Sequence, residues 1–527
     1  MNWDYVIVGA GSAGCALAHE LVRSGEARVL ILEAGGTDRS PFIRVPAGQI
    51  FAIRRHDWGY VSQADPTRNG RSETWERGRV LGGSSSINGM MYVRGAHHDY
   101  DRWAQSGHSG WASADVLPLF RDMEHSDQTG ALRGNSGPLW VQTVKHVHPL
   151  TDAFVQSAVA AGWPFNSDYN DVTQEGVAYA QLSQRRGFRC SAAGAFLKPH
   201  LGARNIKLLL NATVRTIHVH EGRATGISFV RDRAVHEATA RHVIVCAGAI
   251  NSPQLLMASG IGDPEELRLH GITPVVTSPN VGRNLREHPL LKMTYKVRIP
   301  SNNLTEGIGQ KLRIAFQYLV RRTGPVANLF EAAAFLKSRQ DLPAPDIQLH
   351  FLTVGYTQST GGKIRPLDYP AVTVLVNASY PRSTGRIRLG NARSGDAPSI
   401  ECRLLDDPAD LDTLLRGVEV VRGIMATAPM RHLVECEVAP GNGITSRPSL
   451  EDYIRRHTEI AYHPSGTCRM GTDAGAVVTP DLRVNGVENL WVADASVMPD
   501  LISGNTNAVC MMIGLKLGRH LRTKVDR

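Results

Sequence analysis

The apolar run Tyr5–Val8 meets a turn of small residues, "GAGSAG", after which apolar positions recur at Ala13, Leu17, Ala18 and Leu21. A continuous apolar run followed by 3.6-residue spacing predicts a buried strand, a tight turn and a helix. Val29–Leu32 is a second apolar run and ends on Glu33, so the first 35 residues read as one β-α-β unit. The pattern returns in "HVIVCAGAINSPQLL", His242 to Leu256, another buried strand running into small residues and a helix. It returns again near the C-terminus in "VENLWVADASVMP", a strand that ends at Ala493-Asp494. The following "SGNTNAVCMMIGLKLGRHL" starts on small polar residues and predicts a helix through Met511 and Leu515. Between these ends, "PAVTVLVNASYP" and "GRIRLG" alternate or run apolar as strands do.

Length and composition narrow the class. At roughly 100–200 residues per domain, 527 residues imply two or three structural units. Hydrophobic residues at 42% and charged residues at 20% are those of an ordinary globular protein. The net charge of +9 is spread over scattered pairs such as Arg54-Arg55, Arg185-Arg186 and Arg455-Arg456. With no basic block and no nucleic-acid-binding motif, this charge reads as a solvated surface and excludes a nucleic-acid partner. Seven cysteines, an odd number without CxxC or CxxxH spacing, argue against a disulfide framework or a zinc site and for a reducing compartment. His146 and His148 are close in sequence, but no third ligand accompanies them, and no metal is expected. The apolar stretch 5–18 lacks a basic leader and contains three glycines, so it is not read as a signal peptide. No apolar run reaches the ~18 residues of a membrane span. The expected location is the cytoplasm.

The residue types of the first unit fit a dinucleotide. Gly9 makes the turn, Gly11 lets a pyrophosphate approach the backbone, and Gly14 lets helix and strand pack closely. Phosphates would then sit on a helix N-terminus, where unpaired N–H groups and the helix dipole favour negative charge. Glu33 can accept hydrogen bonds from ribose hydroxyls. This unit alone does not choose between FAD and NAD.

The blocks "VIVGAGSAG", "LEAG", "WERGRVLGGSSSINGMMYVRG", "CAGAINSPQLLMASGIG", "VGRNLREHP", "HPSGTCRMG" and "VADASVMP...GNTNA" lie in an order and spacing that resembles the glucose–methanol–choline (GMC) oxidoreductase family over essentially the whole chain. The resemblance implies an α/β fold: an FAD-binding, Rossmann-like dinucleotide domain assembled from both chain ends, plus a substrate domain of antiparallel sheet and helices. The expected division is 1–155, 190–290 and 456–527 for FAD, and 156–189 and 291–455 for substrate. In the first unit it implies FAD contacts at Gly9, Gly11, Ser12, Ala13, Gly14, Glu33 and Ala34. The loop "RVLGGSSSIN" would lie along the pyrophosphate and flavin ring through Arg79, Leu81, Gly82, Gly83, Ser84 and Asn88, followed by Gly89 and Met91. Val214 would hold the adenine end, with Ala247 and Gly248 in the second strand–helix turn. Asp494 would face the ribityl-phosphate side with Ala495, and Asn505, Thr506 and Asn507 would open the last helix against the flavin. Some relatives attach FAD through a histidine in this loop. Ile87 occupies that position here, so FAD is expected to bind non-covalently.

The same resemblance names the chemistry. His463 matches the family's catalytic base, expected to titrate near an unperturbed pKa of about 6.5. Asn507 matches the second active-site position, where an amide would orient the substrate oxygen. Ala461 and Tyr462 would neighbour the reacting carbon. Glu331, in "NLFEAAAFLKS", matches a residue near the substrate in choline-processing relatives. His350, in "PDIQLHFLTV", has no such match and is expected on the substrate side from its own stretch alone. The expected reaction is FAD-dependent oxidation of a primary alcohol to an aldehyde, with oxygen or another acceptor taking the electrons. Aromatic or heteroaromatic alcohols are the favoured substrates. The alternatives are a choline-like or medium-chain aliphatic alcohol dehydrogenase, or a hydroxynitrile lyase that retains flavin without using its redox chemistry.

Overall fold

The computed structural model describes residues 3–23, 25–303, 308–358, 364–390 and 397–525. In chain order, the elements used below begin with β1 (Trp3–Val8), α1 (Ser12–Val22), β2 (Val29–Leu32), α2 (Gln49–His56), α3 (Pro149–Ala160) and β3 (Gly176–Tyr179). β4 (Ile206–Leu209), β5 (Thr213–His220), β6 (Arg223–Arg231), β7 (Ala234–Val245) and α4 (Gly248–Ala258) follow. Next come β8 (Pro289–Val297), α5 (Ile308–Arg321), β9 (Ala332–Leu336), β10 (Ile347–Leu352), β11 (Ala371–Ala378) and α6 (Pro408–Met425). The chain closes with β12 (Val434–Ala439), β13 (Glu459–Ile460), β14 (Leu490–Val492) and α7 (Asn507–Val525).

Two sheets organise these elements. The first has the order β4-β2-β1-β7-β6-β5, with β14 beside β7. Its β4, β2, β1, β7 and β14 are parallel, so residues at both ends of the chain share one sheet. Tyr5–Val8 is buried on both faces because helices cover the sheet, which explains an apolar run in place of alternation. β7 changes role along its length. Its first half pairs antiparallel with β6 and is largely exposed, whereas Val243–Val245 is buried between β1 and β14.

α1 and α7 pack against each other over the first sheet. A Cβ on Gly514 would stand 2.2 Å from the Ala13 carbonyl oxygen, so the helices approach as closely as glycine allows. The Ser12 hydroxyl donates to Asn507 Oδ1 at 2.7 Å, which ties the two helix N-termini together.

The second sheet is antiparallel, in the order β12-β8-β11-β10-β9-β3, with β13 also paired to β8. Its central strands are buried on both faces. One face meets α3 and α6: Phe351 stacks on Phe154 at 4.4 Å, and a Cβ on Gly417 would lie 2.4 Å from Val376 Cγ1. The other face looks onto a cavity that the first sheet also lines.

Candidate active site

A cavity of about 1560 Å³ runs from Glu33 and Val214, at the first sheet, to His463, His350 and Leu352, at the second. That volume exceeds the ~300–1,000 Å³ of pockets for drug-sized ligands and suits an extended dinucleotide with space beside it. Of the residues expected to contact a cofactor, only Gly14, Leu81 and Gly82 do not line it.

The glycines separate into two kinds. Gly9 has φ +102°, and a Cβ there would stand 2.4 Å from the Cys246 carbonyl oxygen. A Cβ on Gly14 would stand 2.0 Å from the Gly9 carbonyl oxygen. These two are required by packing. At Gly11, by contrast, a Cβ would meet only Gly83 Cα, at 4.0 Å, and at Gly248 it would meet nothing within 4 Å. Protein packing does not demand glycine at Gly11, so the open space above it fits a phosphate approaching the backbone. The N-termini of α1 and α7, joined through Ser12 and Asn507, border the same region and favour negative charge there.

The carboxylates at the strand ends are held by backbone. Glu33 accepts N–H bonds from Ala10 at 3.0 Å and Gly35 at 2.8 Å, and burial pushes its carboxyl up to about 7. Each oxygen keeps a lone pair for a ribose hydroxyl. Asp494 accepts from Gly248 N at 2.8 Å, Ser252 Oγ at 2.5 Å and Ser496 N at 2.8 Å. Its carboxyl is also raised by burial. These features fit FAD. Ile87, which lines the cavity and is otherwise buried, offers a hydrocarbon side chain with no group for covalent attachment.

At the other end, the backbone turns sharply to present His463. Tyr462 has φ +64°, a left-handed conformation unusual for a bulky residue, and its carbonyl accepts from Arg77 Nη2 at 2.9 Å. The His463 N–H donates to Glu287 Oε1 at 2.7 Å, and the same oxygen accepts the His288 N–H at 2.9 Å. The two rings meet edge to face, with His463 Nδ1 and His288 Nδ1 3.0 Å apart.

This contact sets the tautomer. His288 Nε2 lies 3.1 Å from the Ser379 carbonyl oxygen, which can only accept, so Nε2 carries the proton. His288 Nδ1 is then an acceptor in the neutral ring, and His463 Nδ1 must be the donor. The lone pair of His463 is therefore on Nε2. Asn505 Nδ2 donates to that atom at 3.0 Å, and Asn505 Oδ1 accepts from Gln348 Nε2 at 3.1 Å.

His463 does not hold an unperturbed pKa. Burial first, then the neighbouring His288 and His350, lowers it well below 6.5, so the ring is neutral throughout the physiological range. Burial also lowers His288 and His350 to about 4. His350 lines the cavity 5.3 Å from the Phe330 ring. Its Nε2 faces Asn377 Nδ2 at 3.4 Å, and its Nδ1 has no hydrogen-bond partner among the described residues.

Ala461 and Tyr462 line the cavity, but Glu331 does not. Its carboxylate accepts from the His148 N–H at 2.8 Å and the Thr151 hydroxyl at 2.6 Å, at the N-terminus of α3. The physical reason is a break in alternation just before β9: Ala332 is paired with Phe351 on the α3 side, and Glu331 turns to that same side while Phe330 takes the cavity face. Asn507 is also placed differently from its expected role: its amide oxygen binds Ser12, and Asn505 is the amide at His463. Glu287 and His288 carry no expected role from sequence, although both stand in "VGRNLREHP". Nothing in local periodicity marks them, since their partner is 176 and 175 positions away. No cluster of three potential metal ligands occurs among the described residues.

Residues 3–290 and 381–514 match the two family models described as GMC oxidoreductase. The chain is 40% identical to an oxygen-dependent choline dehydrogenase of Brucella suis, covering 100% of this chain and 97% of that protein. It is 37% identical to an alcohol dehydrogenase [acceptor] of Pseudomonas putida, covering 99% and 96%. Among solved structures, pyridoxine 4-oxidase from Mesorbium loti superposes with a TM-score of 0.90 at 31% identity over 99% of each chain.

Proposed function

The chain belongs to the GMC oxidoreductase family and is an FAD-dependent alcohol oxidoreductase, and we propose that it converts an uncharged primary alcohol, aromatic or heteroaromatic by preference, to the aldehyde. The observation that carries the base assignment is the His288–His463 hydrogen bond, which leaves the His463 Nε2 lone pair at the cavity. FAD bound along the cavity supplies the hydride acceptor. His463 Nε2 takes the hydroxyl proton, and its neutral ring is ready to do so at physiological pH. The Asn505 amide N–H, already aimed at Nε2, donates to the alkoxide oxygen as charge develops. His350 Nδ1, buried without a partner, carries the second proton available to that oxygen.

Two features support an uncharged substrate over choline. The wall beside His463 is apolar: Leu290, Leu352, Leu375 and Ala461 form a cluster with Phe330 and Tyr356. The Glu331 carboxylate is turned away from the cavity onto the N-terminus of α3, and Lys292 Nζ sits 4.7 Å over the Tyr356 ring, where a second cation would be repelled. The relative that acts on pyridoxine, a hydroxymethylated pyridine, fits the aromatic preference. The proposed division of labour is that 1–155, 190–290 and 456–527 hold the cofactor while 156–189 and 291–455 cover the substrate. β13 is the exception, since it lies in the C-terminal segment but joins the second sheet.

The test is anaerobic mixing of the FAD-loaded enzyme with benzylic, furanic, pyridine-methanol, aliphatic and choline alcohols, read by flavin bleaching, followed by admission of oxygen. Bleaching fastest with aromatic alcohols is expected. Fastest bleaching with choline overturns the substrate assignment, and cyanohydrin cleavage without bleaching overturns the reaction itself.

A further inference from the structure

Amphipathic helices on a protein surface normally turn their apolar face inward. α5 does the reverse. Leu312, Phe316, Leu319 and Val320 are 62% to 66% exposed, and at 100° per residue they fall within an arc of roughly 100°. The face turned to the protein is the one carrying Tyr318, which is buried and donates its hydroxyl proton to the Gly187 carbonyl at 3.1 Å. Single exposed apolar side chains are ordinary, but four on one helix face form a contiguous patch of the kind that marks a docking surface.

The patch is bordered by positive charge. Arg313 and Arg321 are exposed on α5 and form no ion pair among the described residues. α2 extends the same surface with exposed Ile50, Phe51, Arg54 and Arg55. The two regions are tied together, since Ala47 N–H donates to the Val326 carbonyl at 3.0 Å and the guanidinium groups of Arg44 and Arg322 both lie over the Phe188 ring. Ile50 and Leu329 line the cavity and are also 43% and 37% exposed, so the cavity opens at this surface.

From this geometry we propose that the α5–α2 surface docks the enzyme on an anionic lipid bilayer, with the cavity mouth held at the membrane. Apolar side chains on one helix face, bordered by arginines, bury into the acyl boundary while the guanidinium groups meet lipid phosphates. A second copy of this chain is a poorer occupant. A two-fold contact would bring the arginines of one copy's face onto the same arginine-bordered face of the other, between two molecules each of net charge +9. Docking is independent of which alcohol the enzyme oxidises.

The experiment is co-sedimentation of the FAD-loaded enzyme with phosphatidylcholine vesicles and with mixed phosphatidylcholine–phosphatidylglycerol vesicles, at low and at molar salt. The expected result is binding to the mixed vesicles at low salt and release at high salt. Two variants, Leu312→Ser with Phe316→Ser and Arg313→Glu with Arg321→Glu, should each lower partitioning about tenfold or more. FAD content and turnover of a water-soluble alcohol with a soluble acceptor should stay at the parental level, which shows that the variants fold. No binding to anionic vesicles, or binding that neither variant weakens, overturns the proposal. A dimer that dissociates in the serine variant, with no vesicle binding by the parent, assigns the surface to a second copy instead.

Discussion

A histidine acts as a base through the ring nitrogen that carries no proton, and for His463, the proposed base, a second histidine chooses that nitrogen. His288 is a positioning residue: its bond to the Ser379 carbonyl makes its own Nδ1 an acceptor for His463 Nδ1–H. His463→Ala should slow flavin reduction by alcohol about 10²–10⁴-fold with FAD still bound, as read by anaerobic stopped flow. For His288→Leu the expected loss is about 10–100-fold, because the tautomer and orientation are no longer held. His288→Gln, which can accept from His463 and donate to Ser379, should recover part of it, whereas a merely structural role would give no such recovery. The two asparagines separate cleanly. Asn505→Ala should lower the reduction rate about 10²–10³-fold. Asn507→Ala should instead weaken FAD retention, as measured by flavin content after gel filtration, because it unties the two helix N-termini.

At the scale of elements, glycine positions distinguish packing from binding. Gly514→Ala places a methyl group where only 2.2 Å separates its Cβ from the Ala13 carbonyl oxygen, so α1 and α7 must part and the melting temperature should fall. Gly11→Ala meets no such obstacle. It should leave the apoprotein's melting temperature near the parental value while lowering FAD affinity, and comparing apo and FAD-loaded melting curves checks both halves of that expectation. Strand alternation has the same clarifying effect in the second sheet. His350 and Leu352 on β10, and Leu375 and Asn377 on β11, are two residues apart and share the cavity face. Phe351 and Glu331 take the opposite face toward α3.

For the whole molecule, the buried histidine cluster sets an acid limit on stability. His288 and His350 are held near pKa 4 in the fold but titrate near 6.5 when unfolded, so the unfolded chain binds more protons between those values. Stability should therefore fall as pH drops from about 6.5 toward 4. Glu287 acts in the opposite sense. Burial raises its carboxyl to about 8, the folded state holds a proton the unfolded chain has lost, and stability should fall as pH rises through that range. Thermal melting against pH should thus peak near neutrality. Glu287→Gln should flatten the alkaline side while its amide oxygen still accepts the His463 N–H.

The β-α-β unit, Glu33, the strand ending at Asp494 and the final helix were legible in the chain itself. Their signals are local: glycine spacing, apolar runs and a terminal acid depend on neighbours a few residues away. The long matched blocks likewise pointed to His463. What needed the tertiary structure was the assignment of direction. Asn505 and Asn507 stand two residues apart at a helix start, and no local pattern says which amide faces His463. Glu331 looked like a substrate carboxylate, but the chain entering β9 turns Phe330 inward in its place and sends Glu331 to α3. His288 and Glu287 meet His463 across 175 and 176 positions, a contact that exists only after β8 and the loop holding His463 are brought together. The depressed pKa of His463 follows from that same enclosure, because desolvation belongs to the folded molecule and not to any stretch of its chain.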